Sequence, residues 1–227
     1  MATLLLRLAA PLQAWGSDSK FEMRKTNREP TKSGVVGLLA AALGIGRDEP
    51  EKLAPLTALR FGVRVEREGT LLVDFHTAKK IDPKTKKVDT SYITYRHYLS
   101  DAVFLAGLES EDTALLQQLQ DALHSPVFPL YLGRRSCPPT LPLCLGLRQT
   151  DLLTALQNEP PLCKDAAPNT RIVMDALPTE PGAAPLRDAV ISYSPLHRQY
   201  GYRTAREIPW RRPAAADTTE HDPFREL

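Results

Sequence analysis

Cysteine, aromatic residues and long apolar runs are all scarce in this chain. Its 227 residues include three cysteines, Cys137, Cys144 and Cys163. That odd number, without zinc-like spacing, predicts neither a disulfide framework nor a structural metal and points to a reducing cytoplasm. The longest apolar stretch, Val35 to Ile45, contains glycines and is too short to cross a bilayer. A secretory leader is not expected, because the short apolar stretch near the start is broken by Arg7 and has no basic segment before it. Carboxylate clusters and Cys/His pairs with ligand spacing are missing, so neither a metal nor a cofactor is predicted. The strand–GxxxxGK[ST] spacing of a Walker A loop and the G-x-S-x-G of serine hydrolases are missing too. What is present is an ordinary globular balance, 42% hydrophobic and 25% charged, in a chain long enough to bury its own core.

The net charge of +2 hides an asymmetry. Residues 1–100 carry 17 Lys/Arg against 11 Asp/Glu, and the remainder 12 against 16. Lys20, Arg24, Lys25, Arg28 and Lys32 form one basic cluster; Lys79, Lys80, Lys84, Lys86 and Lys87 form another. Clusters of this kind suit a polyanion, and equally suit two solvated loops.

Thr3 to Ala9 reads as a short buried strand with leucines on both faces. Pro11 to Pro30 is a polar, basic loop with Trp15 and Phe21 as its large apolar anchors. Ser33 is read as the N-cap of an apolar helix over Gly34 to Leu43 that ends at Gly44. The period-two alternation of Leu59 to Val65 predicts a half-buried strand, with Leu71 to Phe75 returning beside it after a turn at Gly69. Ala78 to Thr90 is expected to project into solvent around an Asp82-Pro83 turn. Strand character resumes from Tyr92 to Leu108, and Ser110 is read as the cap of a helix with Leu115, Leu119, Ala122 and Leu123 inward. Fifteen of the 20 prolines follow Ser125, which predicts short strands, turns and loops there. A short helix over Leu152 to Leu156 and strands over Arg171 to Ala176 and Ala189 to Tyr193 are expected, with a frayed tail from Pro213. The resulting β-α-β-β-α-β order is the ferredoxin-like arrangement, which leaves one sheet face open for RNA in many of its members.

Two motifs carry binding chemistry. In Pro30-Thr31-Lys32-Ser33-Gly34, a cation precedes a helix start with free N–H groups, which predicts phosphate contact from Lys32, Ser33 and Gly34, and packing from Gly37. In Tyr131-Leu132-Gly133-Arg134-Arg135-Ser136-Cys137-Pro138, paired arginines on a defined turn offer bidentate phosphate contacts and stacking. His76 and His97 flank the lysine-rich segment, and with a lysine they could perform metal-independent RNA cleavage.

A specific resemblance then joins these segments. Pro11-Leu12-Gln13-Ala14-Trp15-Gly16, Pro30 to Gly34, Asp74-Phe75-His76-Thr77, Arg96-His97-Tyr98-Leu99-Ser100-Asp101-Ala102 and Tyr131 to Pro138, in that order over residues 3–146, resemble the CasD family of type I-E CRISPR Cascade. The resemblance implies an α+β, ferredoxin-like (RRM-like) RAMP domain over 1–147, with a β-hairpin thumb at about 77–95 and a small Pro-rich β/loop region over 148–227. It implies a cytoplasmic, non-catalytic subunit that binds and caps the 5′ handle of the CRISPR RNA. Such a subunit helps to seat the neighbouring backbone and large subunits, and meets target DNA through the assembled complex. Related subunits in another subtype cleave RNA, which supplies the enzymatic alternative, an endoribonuclease acting on CRISPR precursor RNA. The residues assigned to RNA are Arg24, Arg28, Lys32, Ser33, Gly34, Lys79, Lys80, Arg96, Tyr131, Arg134 and Arg135.

Overall fold

A computed structural model describes residues 1–16, 22–163, 169–194 and 196–211. Lys20 and Phe21 of the first basic loop, and the tail from Pro213, lie outside the described residues. The elements in chain order begin with β1 (Ala2–Ala9), β2 (Leu12–Gln13), β3 (Met23–Arg24), α1 (Lys32–Leu43) and α2 (Pro50–Ala58). They continue with β4 (Arg60–Arg67), β5 (Thr70–Ile81), β6 (Val88–Ser100), β7 (Val103–Ser110) and α3 (Thr113–His124). The chain then forms β8 (Cys144–Arg148), α4 (Leu152–Asn158), β9 (Asn169–Asp175), β10 (Ala183–Ser192) and β11 (Gln199–Arg211). Among these, no helix is long and apolar enough to cross a membrane.

Seven strands make one antiparallel sheet in the order β10-β11-β9-β4-β7-β1-β8. Strand β1 sits between β7 and β8, and its leucines are buried on both faces. On one face Leu4, Leu6 and Leu8 pack with Phe104, Ala106 and Leu108 beneath α1 and α3. The sheet does not stop at residue 147. Strands β9 and β11 extend it beyond β4, so the C-terminal region continues the same layer.

The opposite face is not the open platform expected from the sequence. Helix α4 covers it, with Leu152 and Leu156 packed against Leu5, Leu105, Ile172 and Met174. Gly62 and Gly107 make this approach possible. A Cβ on Gly107 would lie 2.6 Å from Leu152 Cδ1, and one on Gly62 would lie 2.9 Å from Leu156 Cδ1.

Strand β4 is accordingly buried on both faces rather than half-buried, and two of its charged residues are inside. The Arg64 Nη1 donates to the carbonyls of Leu156 (2.5 Å) and Glu159 (2.6 Å), and Nη2 donates to that of Pro160 (3.0 Å). These are the acceptors that the end of α4 leaves without helical partners. Nε donates to Glu66 at 2.6 Å, and the guanidinium lies 4.3 Å from the Trp210 ring centre. Burial pulls the Arg64 guanidinium below its ordinary value, although Glu66 and Glu159 favour its charge.

Strands β5 and β6 form a second, separate unit. They pair in register from Thr70 with Ser100 to Ile81 with Val88, and β2 and β3 join β6. Leu71 to Phe75 therefore pairs with β6, not with the Leu59 to Val65 strand as expected. Gly69, at φ +73°, turns the chain out of the main sheet between them. The lysine-rich segment is regular to its tip, with only residues 82–87 outside the strands. There the Asp82 carboxylate accepts from the Lys84 N–H and the Thr85 hydroxyl, and both bonds hold it below its ordinary value.

Both expected caps shift toward the N-terminus or C-terminus by two residues. Thr31, not Ser33, caps α1 by accepting from the Gly34 N–H, and Asp112, not Ser110, caps α3 through the Leu115 N–H. Replacing Arg64 with Met leaves Glu66 buried without its cation and removes the donors at the end of α4. The expected loss is about 3–5 kcal/mol of stability, the cost of breaking a buried pair. Urea unfolding measures it, and a loss below about 1 kcal/mol contradicts this account of how α4 is held.

Candidate nucleic-acid interface

The short loop after β1 sets the geometry of the site. Gln13 is buried, and its Nε2 donates to the carbonyls of Leu8 (3.2 Å) and Ala102 (2.7 Å). Its Oε1 accepts from the Trp15 indole N–H at 3.0 Å. Trp15, itself buried, then pins the basic segment that follows. Its backbone N–H donates to Thr26 Oγ1 at 2.8 Å, and its backbone carbonyl accepts from the Asn27 N–H at 3.0 Å. Arg24 is thereby laid beside β6, paired in parallel register with Arg96.

The arginine turn is anchored on the same loop. Ala14 N–H donates to the Leu132 carbonyl at 3.1 Å, and Leu132 N–H to the Cys137 carbonyl at 2.7 Å. Leu132 and Cys137 are buried, so the residues between them project outward. Gly133 is required at its φ of +87°, because a Cβ there would fall 1.7 Å from the Ala14 carbonyl oxygen. Burial raises the Cys137 thiol, as suits an anchor rather than a nucleophile.

Arg134 joins the two parts. Its Nη2 donates to the Arg24 carbonyl at 2.7 Å, and its guanidinium lies 4.5 Å from the centre of the Tyr98 ring. Tyr98 and Arg96 are two residues apart on β6 and so share a face. Burial would push the Tyr98 phenol up, but hydrogen bonding with Ser136, Arg134 and Arg96, and the Arg134 charge, hold it below its ordinary value. Arg24, Arg96, Tyr98, Arg134 and Ser136 thus converge at the base of the β5–β6 hairpin. Arg135 is exposed on the same turn, and Arg28 is exposed four residues beyond Arg24. Tyr131 is half-buried, and its carbonyl accepts from the Gly133 N–H, without a side-chain contact to the cluster among the described residues.

The arginines of this cluster differ from most of those on the main sheet, Arg7 and Arg67 being held by backbone carbonyls. Arg64, Arg148, Arg171, Arg203 and Arg206 each face a carboxylate. Among the described residues, Arg24, Arg96 and Arg134 form no ion pair, although Asp74 lies opposite Arg96 in the register. Arg134 Nη1 is buried there with no hydrogen-bond partner.

The helix start expected to hold phosphate is committed elsewhere. The backbone N–H of Lys32 donates to Asp188 Oδ2 at 2.9 Å, and its Nζ pairs with Asp175 Oδ2 at 3.0 Å. Arg203 bridges the same two carboxylates, at 2.6 Å to Asp188 and 2.7 Å to Asp175. A carboxylate of the chain therefore occupies the anion position of this helix start. Ser33 is buried, and its carbonyl accepts from the Tyr193 hydroxyl at 2.6 Å. The space at Gly34 is closed by the Trp15 ring, 2.9 Å from where a Cβ would sit. These three residues are corrected from phosphate contacts to internal packing. Asp175 and Asp188 lie 143 and 156 residues away from Lys32, so no local pattern announces them.

Lys79 and Lys80 are exposed near the hairpin tip, where Lys80 pairs with Asp89 at 3.3 Å. Lys80 is six residues along β5 from the Asp74–Arg96 station, roughly 20 Å from the cluster. The hairpin presents two different faces. Leu71, Val73, Phe75, Ile93 and Tyr95 form an exposed apolar face with Met23 beside it, and Phe75 meets Tyr95 edge to face at 5.7 Å. Arg24, Arg96 and Tyr98 belong to the other. His76 pairs with Thr94 and His97 with Val73, which puts the two histidines on opposite faces. They do not form one constellation.

Sequence reading does not single out Tyr98 or Thr26 for their roles, whereas Ser136 stands out as a hydroxyl donor beside the arginine pair. The signal for Tyr98 is its two-residue spacing from Arg96 on a strand; Thr26 gives none.

Known proteins place the chain. Residues 3–206 match the family described as CRISPR-associated protein (Cas_Cas5). The Escherichia coli (strain K12) CRISPR system Cascade subunit CasD is 40% identical over 176 residues, covering 71% of this chain and 79% of that protein. A chain of a solved CRISPR RNA-guided surveillance complex superposes with a TM-score of 0.78 at 34% identity, covering 93% of this chain and 91% of that one. The crystal structure of a Cas protein gives 0.72 at 41% identity, over 92% and 95%. The match over nearly the whole length shows that the chain belongs to the CRISPR-associated Cas5 family.

Proposed function

We propose that this protein is the CasD-type subunit of a type I-E CRISPR RNA-guided surveillance complex, and that it binds and caps the 5′ handle of the CRISPR RNA. The observation that carries this is the arginine cluster at the hairpin base. Arg96 and Arg134 meet at Tyr98 with Arg24 paired beside Arg96, and none of the three forms an ion pair among the described residues. Guanidinium groups so placed suit the phosphates of a single strand, with the Ser136 hydroxyl as a further donor. Phosphate contacts hold position, and base pairing by the guide reads the target DNA.

The strands in the order β4-β7-β1-β8, with α1 and α3 on one face, support a ferredoxin-like RAMP core. The β5–β6 hairpin is then its thumb. Its exposed apolar face suits a protein surface, and we assign that face to the neighbouring backbone subunit of the complex. The large subunit would be seated at the same end of the assembly. The subunit acts by holding RNA rather than by cutting it, a reading supported by the placement of His76 and His97 on opposite faces of the hairpin.

Co-expression with the other Cascade subunits and a guide RNA tests the assignment, and a chain that never joins the assembly overturns it. Within the assembled complex, Arg96→Ala and Arg134→Ala are each expected to weaken guide retention by about 1.5–3 kcal/mol, the worth of a charge-assisted contact. Each is also expected to lower the salt slope by about 0.7. Lys32→Ala is expected to reduce stability in urea without changing the salt slope. A Lys32→Ala slope that falls like that of Arg134→Ala returns the phosphate site to the helix start.

Incubation of the purified protein with CRISPR repeat RNA is expected to leave the RNA intact. Metal-independent cleavage at one site, lost in His97→Ala or Lys80→Ala, establishes the endoribonuclease reading instead.

A further inference from the structure

A strand edge left open in water invites another strand, and proteins blunt such edges by shortening or distorting them. Both edges of the main sheet are blunted. Strand β8 has five residues and a left-handed Gly146 at φ +90°. Strand β10 carries Pro185 and two register shifts against β11. Strand β5 has neither device. It pairs with β6 alone, runs for twelve residues without proline, and none of those residues is buried. Its register with β6 is unbroken from Thr70 to Lys80. Alternate residues of β5 therefore turn their N–H and C=O groups away from β6, and no backbone bond among the described residues receives them.

The far half of the hairpin has the greater need of a partner. Strand β3 meets β6 at Tyr95 and Arg96, and β2 meets it at Leu99 and Ser100. Beyond Phe75 the hairpin is two strands only. A bare two-stranded ribbon is marginal in water, and a further strand on its edge stabilises it.

The residues of β5 say which strand fits. Lys79 and Lys80 on this edge deter an apolar strand but suit one with a carboxylate at the matching place. Strand β5 has that carboxylate itself. Asp74 forms no ion pair among the described residues, and Lys80 forms only the exposed one with Asp89. A second copy running antiparallel about a two-fold axis at Thr77 brings Asp74 opposite Lys80 of that copy. Phe75 then faces its Lys79, Val73 its Ile81 and Thr77 its Thr77, which are favourable cross-strand pairs. The symmetry makes the first three twice. Moving the axis by one residue loses this match. Centred on His76, Asp74 faces Ala78; centred on Ala78, it faces Asp82. With the axis at Thr77, the two hairpin bases at Thr70 stand roughly 45 Å apart, which keeps the main sheets clear of each other.

We infer that the subunit outside its complex pairs with a second copy of itself along β5, centred on Thr77. The two hairpins then form one continuous four-stranded sheet. The inference does not rest on the RNA-binding reading, whose arginines lie at the hairpin base. The test uses the purified full chain by itself, in a dilution series followed by sedimentation. A monomer–dimer equilibrium is expected. Asp74→Lys sets like charges at both symmetric stations and is expected to weaken the dimer about tenfold or more, as is Lys80→Asp. Combining the two exchanges the charges and is expected to restore the dimer. Neither side chain is in the core, and circular dichroism checks that each variant folds. Should one fail to fold, amide hydrogen exchange of the unaltered protein serves instead, since residues 73–81 are expected to exchange more slowly as concentration rises. A monomer at every concentration overturns the inference, as does a dimer indifferent to the single variants or not restored by their combination. Protection of β5 that appears only when the backbone subunit is added assigns the edge to that subunit and overturns it as well.

Discussion

Four charges at the start of α1, Asp188 buried and the others half-buried, hold the two ends of this chain together. Lys32 comes from the helix, Asp175 from β9, Asp188 from β10 and Arg203 from β11. Each carboxylate meets both a cation and a backbone N–H, since Asp175 also accepts from Phe61 N–H at 2.9 Å and Asp188 from that of Lys32. Satisfaction of that completeness lets such groups stay charged inside a protein, where a half-made network would be worse than an apolar core. Two consequences follow. The late strands become part of the main sheet, and the helix N-terminus is no longer available to an outside anion.

The binding chemistry is consequently displaced to the hairpin base. A protein that spends most of its buried arginines on its own carboxylates leaves little ambiguity about the ones it does not. Arg134 is held by the Arg24 carbonyl and the Tyr98 ring, and Arg96 by the Thr94 hydroxyl, contacts that fix a guanidinium without cancelling its charge. The Gln13–Trp15 pair supports this from below. It brings three distant segments to one place with bonds made wholly inside the core, so the arginines are presented by a rigid base.

The hairpin itself has the opposite economy. It is a two-sided ribbon away from the main core, exposing Leu71, Val73, Phe75, Ile93 and Tyr95 along one face. A flat apolar ribbon of this length is a liability in an isolated protein and an asset in a subunit. Its other face turns Arg96 and Tyr98 back toward the arginine turn. Alternation along β6 thus separates an apolar surface from a cationic one across the thickness of a single strand.

Much of this was legible in the residues. The leucines of β1, the apolar α1 with its terminal Gly44, and the short α4 were read directly, because local periodicity and capping chemistry specify them. Arg24, Arg96 and Arg134, which motif and charge single out, lie beside one another in the fold, and Arg135 is exposed on the same turn. Strand β11 was missed because Pro209 and its alternating polar residues conceal a strand that is defined by its neighbours, β9 and β10. The fate of Lys32, Ser33 and Gly34 was equally hidden. The sequence alone determined that a cation and a glycine stand at a helix start. Only the tertiary structure decided that Asp175, Asp188 and Trp15 fill it. Charge pairing and close packing depend on distance in space, and these partners are either far along the chain or brought near by a loop with no periodicity of its own.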